Sequence, residues 1–283
     1  MLCLICLARA VDFKRFPTTL SCMTFELQQV SLLRGDHVAL RDIDLRLPRD
    51  RLVGIIGPNG SGKSSLLSVL AGDLISDQGR VCIDGEPVSK RPSSDLAQQR
   101  AIMAQQSEAI FNLTVRQVLE LGLFAFAHWS VAERTRLLGS VAQSLGLEHW
   151  LDESLTVRSL GQQQRVHFAR ALLQAQAAWH EQGRAWLLLD EPTASQDPWH
   201  QQSMFAACKA FLSWGRVGIV VVVHDLTLAA QWCDELVVLK DASVVAQGPC
   251  RSVLNAQQLG LAFGSDLKVD VRWAPLPGVI MSR

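Results

Sequence analysis

Alternating apolar and polar residues begin the regular part of the chain. Residues 25–32 and 38–47 have the period-two spacing of strands with one buried face, and Arg34-Gly35-Asp36 between them is a turn signal. The next run, Leu52–Ile56, contains no polar side chain, which is typical of a strand buried on both faces of a parallel sheet. These segments predict an antiparallel β edge followed by a central parallel strand.

Helical spacing dominates the middle of the chain and predicts a helical arm from about residue 96 to residue 159. The apolar positions that carry this spacing are Val118, Leu121, Leu137, Leu138, Val141 and Leu145. Farther on, the apolar runs 186–189 and 217–223 predict two more buried strands. Residues 253–263 predict a short helix, followed by irregular chain that contains Pro275 and Pro277.

Composition narrows the class of protein. Lysine plus arginine and aspartate plus glutamate both total 27, so the formal net charge is zero, which argues against binding to nucleic acid. Hydrophobic residues make up 48% of the chain and charged residues 19%, which argues against disorder. The longest aliphatic run, 219–223, is too short to span a bilayer. We therefore expect a soluble globular protein, and its mean hydropathy of +0.16 leaves room for an apolar docking surface.

The first 22 residues stand apart from the rest of the pattern. Residues 1–8 are apolar, but no basic stretch precedes them and no clear cleavage site follows, which argues against a secretory signal. Met23 directly precedes the first strand pattern. Two alternatives stay open: residues 1–22 are a disordered N-terminal extension, or the native protein starts at Met23.

A phosphate-binding loop follows the run Leu52–Ile56. The motif G-x-x-x-x-G-K-[ST] is present without a mismatch, and Ser65 follows it. Its residues are Gly57, Pro58, Asn59, Gly60, Ser61, Gly62, Lys63 and Ser64. A helical pattern comes after it and ends at Gly72. Glycines let backbone N–H groups surround a phosphate, and the helix N-terminus adds a favourable dipole. Lys63 can reach the β- and γ-phosphates and the Ser64 hydroxyl can bind Mg²⁺, so the motif predicts a nucleoside triphosphate site.

Polar groups end the two later apolar runs. Asp190 and Glu191 follow the run 186–189, and His224 follows the run 217–223. Ligands bind at the carboxyl ends of strands in open α/β sheets. We therefore expect Asp190 to bind Mg²⁺ and Glu191 to orient or deprotonate an attacking water. The strand that ends at His224 is the third that leads into reactive polar groups, after the strand before the phosphate loop and the strand before Asp190. We therefore expect His224 to belong to the same site.

Together these motifs resemble the ATPase subunit of ABC transporters, over essentially the whole chain from Met23 onward. Gln105 matches the family's Q-loop, and Ser195-Gln196-Asp197 stands at its D-loop. The segment at the family's signature contains Ser159, Gly161 and Gln162. The resemblance implies an α/β P-loop NTPase fold of the ABC ATPase type, with a parallel-sheet core, an antiparallel β edge and a helical subdomain. It places the ATPase domain at 23–250, its helical subdomain at about 96–159, and a C-terminal helix and tail at 251–283.

The resemblance also implies a mechanism and partners. It implies a head-to-tail homodimer in which Ser159, Gly161 and Gln162 cap the ATP held by the opposite subunit. Mg²⁺ is then bound with the help of Ser64, Gln105 and Asp190, Glu191 orients the water, and His224 and Lys63 stabilise charge. It further implies two transmembrane permease subunits, a periplasmic substrate-binding protein reached indirectly, and a peripheral position on the cytoplasmic side of the inner membrane.

Finer resemblances concern the cargo. Residues 100–105, 111–115, 119–122 and 224–230 resemble importers of iron chelates, heme and vitamin B12, and residues 197–202 most resemble the heme importers. The resemblance therefore implies heme (hemin) uptake, with vitamin B12 or a ferric siderophore as alternatives. A soluble ABC protein of translation normally carries two cassettes, whereas this chain has one.

Three departures from the family pattern matter. The usual Leu-Ser-Gly-Gly signature has Arg158 at its first position and Leu160 at its third, and we expect leucine there to strain the loop. The chain has no tyrosine, and only Leu33, Arg34 and His37 stand near the expected adenine contact. Two alternatives stay open: selectivity for the base is weak, or Arg34 stacks on it. Gln196 replaces the usual D-loop leucine. The altered signature keeps open a second class of function, a degenerate nucleotide-binding regulatory subunit with little turnover.

Overall fold

The structure is a computed structural model that describes residues 24–104, 112–264, 268–273 and 278–282. The β-strands are β1 Thr24–Arg34, β2 His37–Pro48, β3 Leu52–Ile56, β4 Gln78–Ile83, β5 Glu86–Pro87, β6 Arg100–Met103, β7 Ala185–Asp190, β8 Val217–Val222, β9 Glu235–Lys240, β10 Ser243–Pro249, β11 Lys268–Arg272 and β12 Gly278–Ser282. The α-helices are α1 Lys63–Ala71, α2 Ser93–Ala97, α3 Val115–Leu121, α4 Val131–Ser144, α5 Leu160–Gln182, α6 Pro198–Leu212, α7 Leu226–Trp232, α8 Cys250–Val253 and α9 Ala256–Phe263.

The described residues form two compact units. We call residues 92–219 the inserted unit, because the chain enters and leaves it between two halves of the other. The flanking unit consists of residues 24–91 together with the chain from residue 220 onward. Strand β8 contributes its first half to the inserted unit and its second half to the flanking unit.

The flanking unit contains the predicted antiparallel edge and central strand. Its antiparallel sheet has the order β2-β1-β4-β5, with Thr24 opposite Pro48 at one end of the β1–β2 pair. Strand β3 lies between β9 and β8, and it pairs with β9 in parallel. All five residues of β3 are buried, as expected for a strand covered on both faces. The sequence-based predictions for β1, β2 and β3 are confirmed.

A buried ion pair stabilises the antiparallel sheet. Arg49, after β2, donates from Nη2 to Oδ2 of Asp84 at 2.9 Å, and its Nη1 lies 2.9 Å from the other carboxylate oxygen as an ion-pair contact. The two side chains are only 2% and 5% exposed, so each charge depends on the other for compensation. Asp84 has a left-handed backbone with φ +54°, a conformation that asparagine also tolerates.

We therefore expect Asp84→Asn to destabilise the protein by about 3 kcal/mol, because it removes the carboxylate charge that faces the buried Arg49 guanidinium. Asparagine keeps the size and the backbone conformation of the residue, so the loss reports the ion pair. Denaturant unfolding measures the effect, and Asp36→Asn, at an exposed turn position, is the matched control. Equal unfolding midpoints for the two variants would contradict the role of the pair.

The C-terminal segment differs from the sequence-based prediction. The expected helix 253–263 is two helices, α8 and α9, separated where Asn255 caps α9 by accepting from the backbone N–H of Gln258. The expected irregular chain after it is wrong, because β11 and β12 form an antiparallel pair with Lys268 opposite Ser282. Strand β12 packs on α7, where the Val279 backbone N–H donates to the Thr227 hydroxyl at 3.3 Å, and β11 packs on α9.

The inserted unit combines parallel strands with helices. Strands β6 and β7 are parallel, and β7 lies between β6 and β8. The long helix α5 packs on both β6 and β7, and α3 and α4 pack on α5. The predicted helical stretch, about 96–159, therefore contains the end of α2 and all of α3 and α4, but also strand β6 at Arg100–Met103. Its apolar positions are buried as expected except Leu121, which is exposed.

Candidate nucleotide-binding site

The phosphate loop connects β3 to α1 in the flanking unit. Strand β3 ends at Ile56 and α1 begins at Lys63, so the motif occupies the turn between them. Lys63 is 6% exposed, and its Nζ donates to the carbonyl oxygens of Gly57 at 3.0 Å and Pro58 at 2.9 Å. The lysine ammonium group therefore lies inside the loop itself.

Two glycines of the loop have no room for a side chain. Gly57 has φ +152°, and a Cβ there would lie 2.1 Å from the backbone oxygen of Leu239. Gly62 has φ +101°, and a Cβ there would lie 2.4 Å from the backbone oxygen of Ala39. The backbone can follow this path only with glycine at both positions.

The remaining groups of the loop fit a bound phosphate chain. Ser61 Oγ is buried and has no hydrogen-bond partner among the described residues, so a donor faces the inside of the loop. The first turn of α1 contains no acidic residue that would oppose an anion at the helix N-terminus. Ser64 is half-buried and Ser65 buried, whereas Asn59 and Gly60 form the exposed rim.

His224 follows a strand that runs beside β3. The backbone N–H of Val223 donates to the carbonyl oxygen of Ile55 at 3.1 Å, so β8 and β3 end side by side. His224 is the next residue and is exposed. Asp225 then caps α7 by accepting from the backbone N–H groups of Thr227 and Leu228. The structure thus places His224 at the strand edge from which the phosphate loop also emerges.

Asp190 and Glu191 lie in the inserted unit, at the carboxyl end of β7. Asp190 is the last residue of the strand and is 6% exposed. Glu191 is half-buried and has a left-handed backbone with φ +48°. Such a conformation is uncommon for a residue other than glycine and tends to occur at functional sites. Ser195, four residues later, is left-handed as well, with φ +58°.

The signature segment begins helix α5. Ser159 Oγ accepts from the backbone N–H of Gln162, and the Gln162 side chain accepts from the backbone N–H of Ser159, which is a complete capping box. Leu160 is the first helical residue, is 62% exposed and is not left-handed. The expected strain at Leu160 is therefore wrong, because this position needs no positive φ.

Gly161 lies directly against the D-loop. A Cβ on Gly161 would lie 2.7 Å from the backbone oxygen of Ser195. The Gln196 side chain donates to the carbonyl oxygen of Gly161 at 3.1 Å, and the Gln196 backbone carbonyl accepts from the Gln201 side chain at 3.1 Å. The Gln196 replacement, which the sequence marks only as a departure from the family pattern, joins the signature segment to the D-loop.

A cleft of about 170 Å³ opens between these two segments. Its lining residues are Ser159, Gly161, Gln162, Arg165, Ser195, Gln196, Asp197 and His200. His200 Nδ1 donates to the Asp197 carboxylate at 2.6 Å, and this bond lowers the pKa of that carboxyl. Burial lowers the pKa of Arg165, and the nearby Asp197 charge opposes that shift. Hydroxyl, amide and guanidinium groups therefore line the cleft together with the Asp197 carboxylate.

The sequence analysis did not identify Arg165 and His200. The signal for Arg165 is its spacing, because positions 161 and 165 lie on one face of a helix. His200 is the third residue after the helix cap Asp197. Gln105, predicted to bind Mg²⁺, lies outside the described residues.

The adenine contact also has candidates in the structure. Arg34 and His37 face each other across the β1–β2 turn, and both are exposed, as is the neighbouring Leu33. Either polar side chain could stack on a purine, and their role stays a prediction.

The strand–loop–helix arrangement around Lys63 defines a P-loop nucleotide-binding protein. The phosphate loop, the carboxylates after β7 and the capped signature helix together belong to an ATPase cassette.

The chain belongs to the ABC transporter family, whose sequence profile matches residues 40–194. It is 37% identical over 247 residues to the hemin import ATP-binding protein HmuV of Bordetella avium, covering 87% of this chain and 94% of that protein. It is 35% identical over 261 residues to HmuV of Bordetella pertussis, covering 92% and 98%. HmuV of Pseudomonas putida is 35% identical over 246 residues, covering 87% and 94%.

Solved structures agree with this assignment. A structure of the ATP-binding subunit of an ABC transporter superposes with a TM-score of 0.72 at 25% identity, covering 85% of this chain and 95% of that one. A bacterial ABC transporter cassette solved as a dimer gives 0.70 at 26% identity, covering 80% and 99%. The expected ABC ATPase fold is confirmed, and the protein is an ATPase coupled to transport.

No helix in the described part of the chain has the length and apolar character needed to cross a bilayer.

Proposed function

We propose that this chain is the ATP-hydrolysing subunit of an importer that takes up hemin across the inner membrane. The observation that carries the proposal is the match, over nearly the whole length of both chains, to relatives named as hemin import ATP-binding proteins. In this proposal two copies of the chain bind two transmembrane permease subunits on the cytoplasmic side. A periplasmic substrate-binding protein delivers the hemin and acts on this chain only through the permease.

The proposed domain arrangement follows the family pattern. The ATPase domain takes residues 23–250, with a helical subdomain at about 96–159. Residues 251–283 form the C-terminal helix and tail, and residues 1–22 lie outside the ATPase domain. Burial of the strand β3 and packing of α3 and α4 on α5 are consistent with this arrangement.

The proposed site begins with the phosphate loop. Residues 57–65 bind the triphosphate through backbone N–H groups, the Lys63 ammonium group and serine hydroxyls. The glycine-only path at Gly57 and Gly62 and the buried Ser61 hydroxyl support this role. Ser64, Asp190 and Gln105 would hold Mg²⁺, which when bound neutralises phosphate charge.

The proposed chemistry is in-line attack of water on the γ-phosphorus, which breaks its bond to the β–γ bridging oxygen and releases ADP and inorganic phosphate. Glu191 orients the water and accepts its proton, and the left-handed backbone at this residue supports a specific functional orientation. His224 and Lys63 stabilise the charge that develops on the phosphoryl group. Ser159, Gly161 and Gln162 serve the ATP held by the second copy, and the donor-lined cleft beside them supports that role.

The rival proposal of a degenerate regulatory subunit finds no support in the altered signature. Leu160 is an ordinary first residue of a capped helix, and its side chain points away from the core. The Arg158 guanidinium forms an ion pair with the Glu153 carboxylate. Both replacements are accommodated without loss of the Ser159 cap.

Reconstitution tests the proposed cargo. The chain is purified with the permease encoded beside its gene and placed in lipid vesicles, and ATP hydrolysis is followed with binding protein loaded with hemin, vitamin B12 or a ferric siderophore. We expect hemin-loaded binding protein to raise ATP turnover and to drive hemin into the vesicles. Stimulation by one of the other two cargoes alone would replace hemin in the proposal, and ATP binding without turnover in every case would favour the degenerate subunit.

A further inference from the structure

Arg158 occupies a position where the family signature has an apolar leucine. Its side chain is only 15% exposed, so its charge is largely removed from water. Burial of a guanidinium is costly unless nearby groups compensate the charge. The structure therefore requires compensating groups around Arg158, and these are found in the segment just before it.

Two residues of that segment compensate the charge. The Glu153 carboxylate forms an ion pair with the Arg158 guanidinium. The Arg158 guanidinium carbon also lies 5.0 Å from the ring centroid of Trp150, within the range of a cation–π contact. Neither contact is available to leucine, so this part of the signature is held differently here from the usual pattern.

The Trp150 ring contacts a second guanidinium. The Arg165 guanidinium carbon lies 4.3 Å from the same ring centroid. Arg165 is also a wall of the cleft beside Ser159 and Gly161. Trp150 therefore connects Arg158, which has a carboxylate partner, to Arg165, whose guanidinium faces the cleft.

The backbone around these side chains is anchored as well. The N–H groups of Val115 and Arg116, at the start of α3, donate to the carbonyl oxygens of Glu153 and Leu151. At the other end, the Arg158 carbonyl accepts from the Gln163 side chain at 2.9 Å. The segment that carries Trp150 and Glu153 is thus fixed at both ends, so its side chains can hold others in place.

We propose that Arg158 is a positioning residue that acts through Trp150 to hold Arg165 at the wall of the cleft. The Glu153 carboxylate offsets the repulsion between the two guanidinium groups on one ring. The cleft is thereby ordered before a triphosphate arrives, which lowers the cost of binding. The inference rests on the proposed role of this cleft in binding the ATP held by a second copy.

The test compares steady-state ATP hydrolysis by the full-length wild type and Arg158→Leu, which installs the usual family residue. We expect the KM for ATP to rise by about five-fold while kcat stays within about two-fold, because pre-ordering of the cleft is lost and Glu191 is untouched. Arg158→Lys keeps the charge for Glu153 and Trp150 and is expected to recover part of the increase. Arg136→Leu, at an exposed arginine of α4, is the matched control and should change neither constant.

Companion variants separate the two contacts. Trp150→Leu should raise the KM for ATP as much as Arg158→Leu does, whereas Trp150→Phe, which keeps an aromatic face, should raise it less. Combining Trp150→Leu with Arg158→Leu should add little, since both remove the same link to Arg165. Full additivity of the two changes would overturn the proposal.

A second readout does not depend on turnover. In the Glu191→Gln background, the ATP concentration that gives half-maximal dimer on size-exclusion chromatography should rise with Arg158→Leu by the same factor as the KM. An unchanged KM and an unchanged dimerisation midpoint would overturn the inference, as would a fall in thermal unfolding midpoint that fully accounts for lost activity. If the wild type shows no turnover but the dimerisation midpoint still shifts, the proposed ATPase role fails and the inference stands.

Discussion

Replacement of Glu191 by glutamine is expected to lower ATP hydrolysis by at least about 100-fold, on the scale that a positioned general base contributes. Glutamine is nearly the same size as glutamate, and the substitution alters only the end of the side chain. The left-handed backbone at φ +48° is therefore expected to be kept. The carboxylate charge and its ability to accept a proton from water are lost. ATP binding should persist, because the phosphate loop belongs to a different segment of the chain. Phosphate release measures turnover, and equilibrium titration with a fluorescent ATP analogue measures binding.

Glu120→Gln is the matched control for this change. Glu120 is an exposed residue of α3, and its replacement removes the same charge far from β7 in the sequence. Turnover of this variant should equal that of the wild type. Undiminished hydrolysis by Glu191→Gln would remove Glu191 from the mechanism.

Lys63→Ala is expected to lower kcat/KM for ATP by at least about 100-fold, and, unlike Glu191→Gln, to weaken ATP binding itself. The Lys63 ammonium group lies inside the loop, bonded to the Gly57 and Pro58 carbonyl oxygens. Alanine removes the cation that would face the β- and γ-phosphates and also removes the two bonds that shape the loop. The same analogue titration and phosphate-release assay measure both losses.

Lys90→Ala serves as the control, because Lys90 is an exposed lysine in the same unit. Its removal should leave both ATP binding and turnover unchanged. The pattern across the two sites is diagnostic: loss of binding at Lys63 and retention of binding at Glu191 assign the two residues to different steps. Wild-type affinity in Lys63→Ala would exclude the loop as the triphosphate site.

Local sequence pattern was sufficient to predict the strands and the phosphate loop. The apolar run of β3 and the alternation in β1 and β2 each reflect the burial of individual residues, which a short segment encodes by itself. The glycines at 57 and 62 are required by the local backbone path, so the motif alone locates the turn. For the same reason the end of α1 at Gly72, with φ +77°, could be predicted.

Contacts between distant segments could not be predicted in this way. The Gln196 side chain donates to Gly161, which lies 35 positions earlier, and only the folded chain brings the two together. The sequence alone shows Arg158 only as a departure from the family pattern. Its contact with the Trp150 ring is seen only in the folded chain. A side chain that can reach several partners carries no local signal of which one it selects.

The C-terminal strands were missed for a different reason. Lys268–Arg272 has the sequence K-V-D-V-R, whose alternation is a period-two signal. The prolines at 275 and 277 suggested irregular chain, but in sequence they fall between β11 and β12. Proline interrupts a strand while it is compatible with the connection between two strands.

The order of strands around the phosphate loop governs how the nascent protein acquires that loop. Strand β3 is synthesised before its sheet neighbours, because β8 is made only as translation of the inserted unit ends and β9 only after that unit. Until then the apolar face of β3 has no partner, and the loop lacks the backbone of Leu239 that packs against Gly57.

Such long-range strand pairing is slow, and it leaves apolar segments exposed to aggregation during translation. A transcript truncated before Glu235 would yield a chain that contains the complete motif 57–64 and yet lacks β9, the strand beside it. We therefore expect the polypeptide to bind nucleotide only after β9 has been translated.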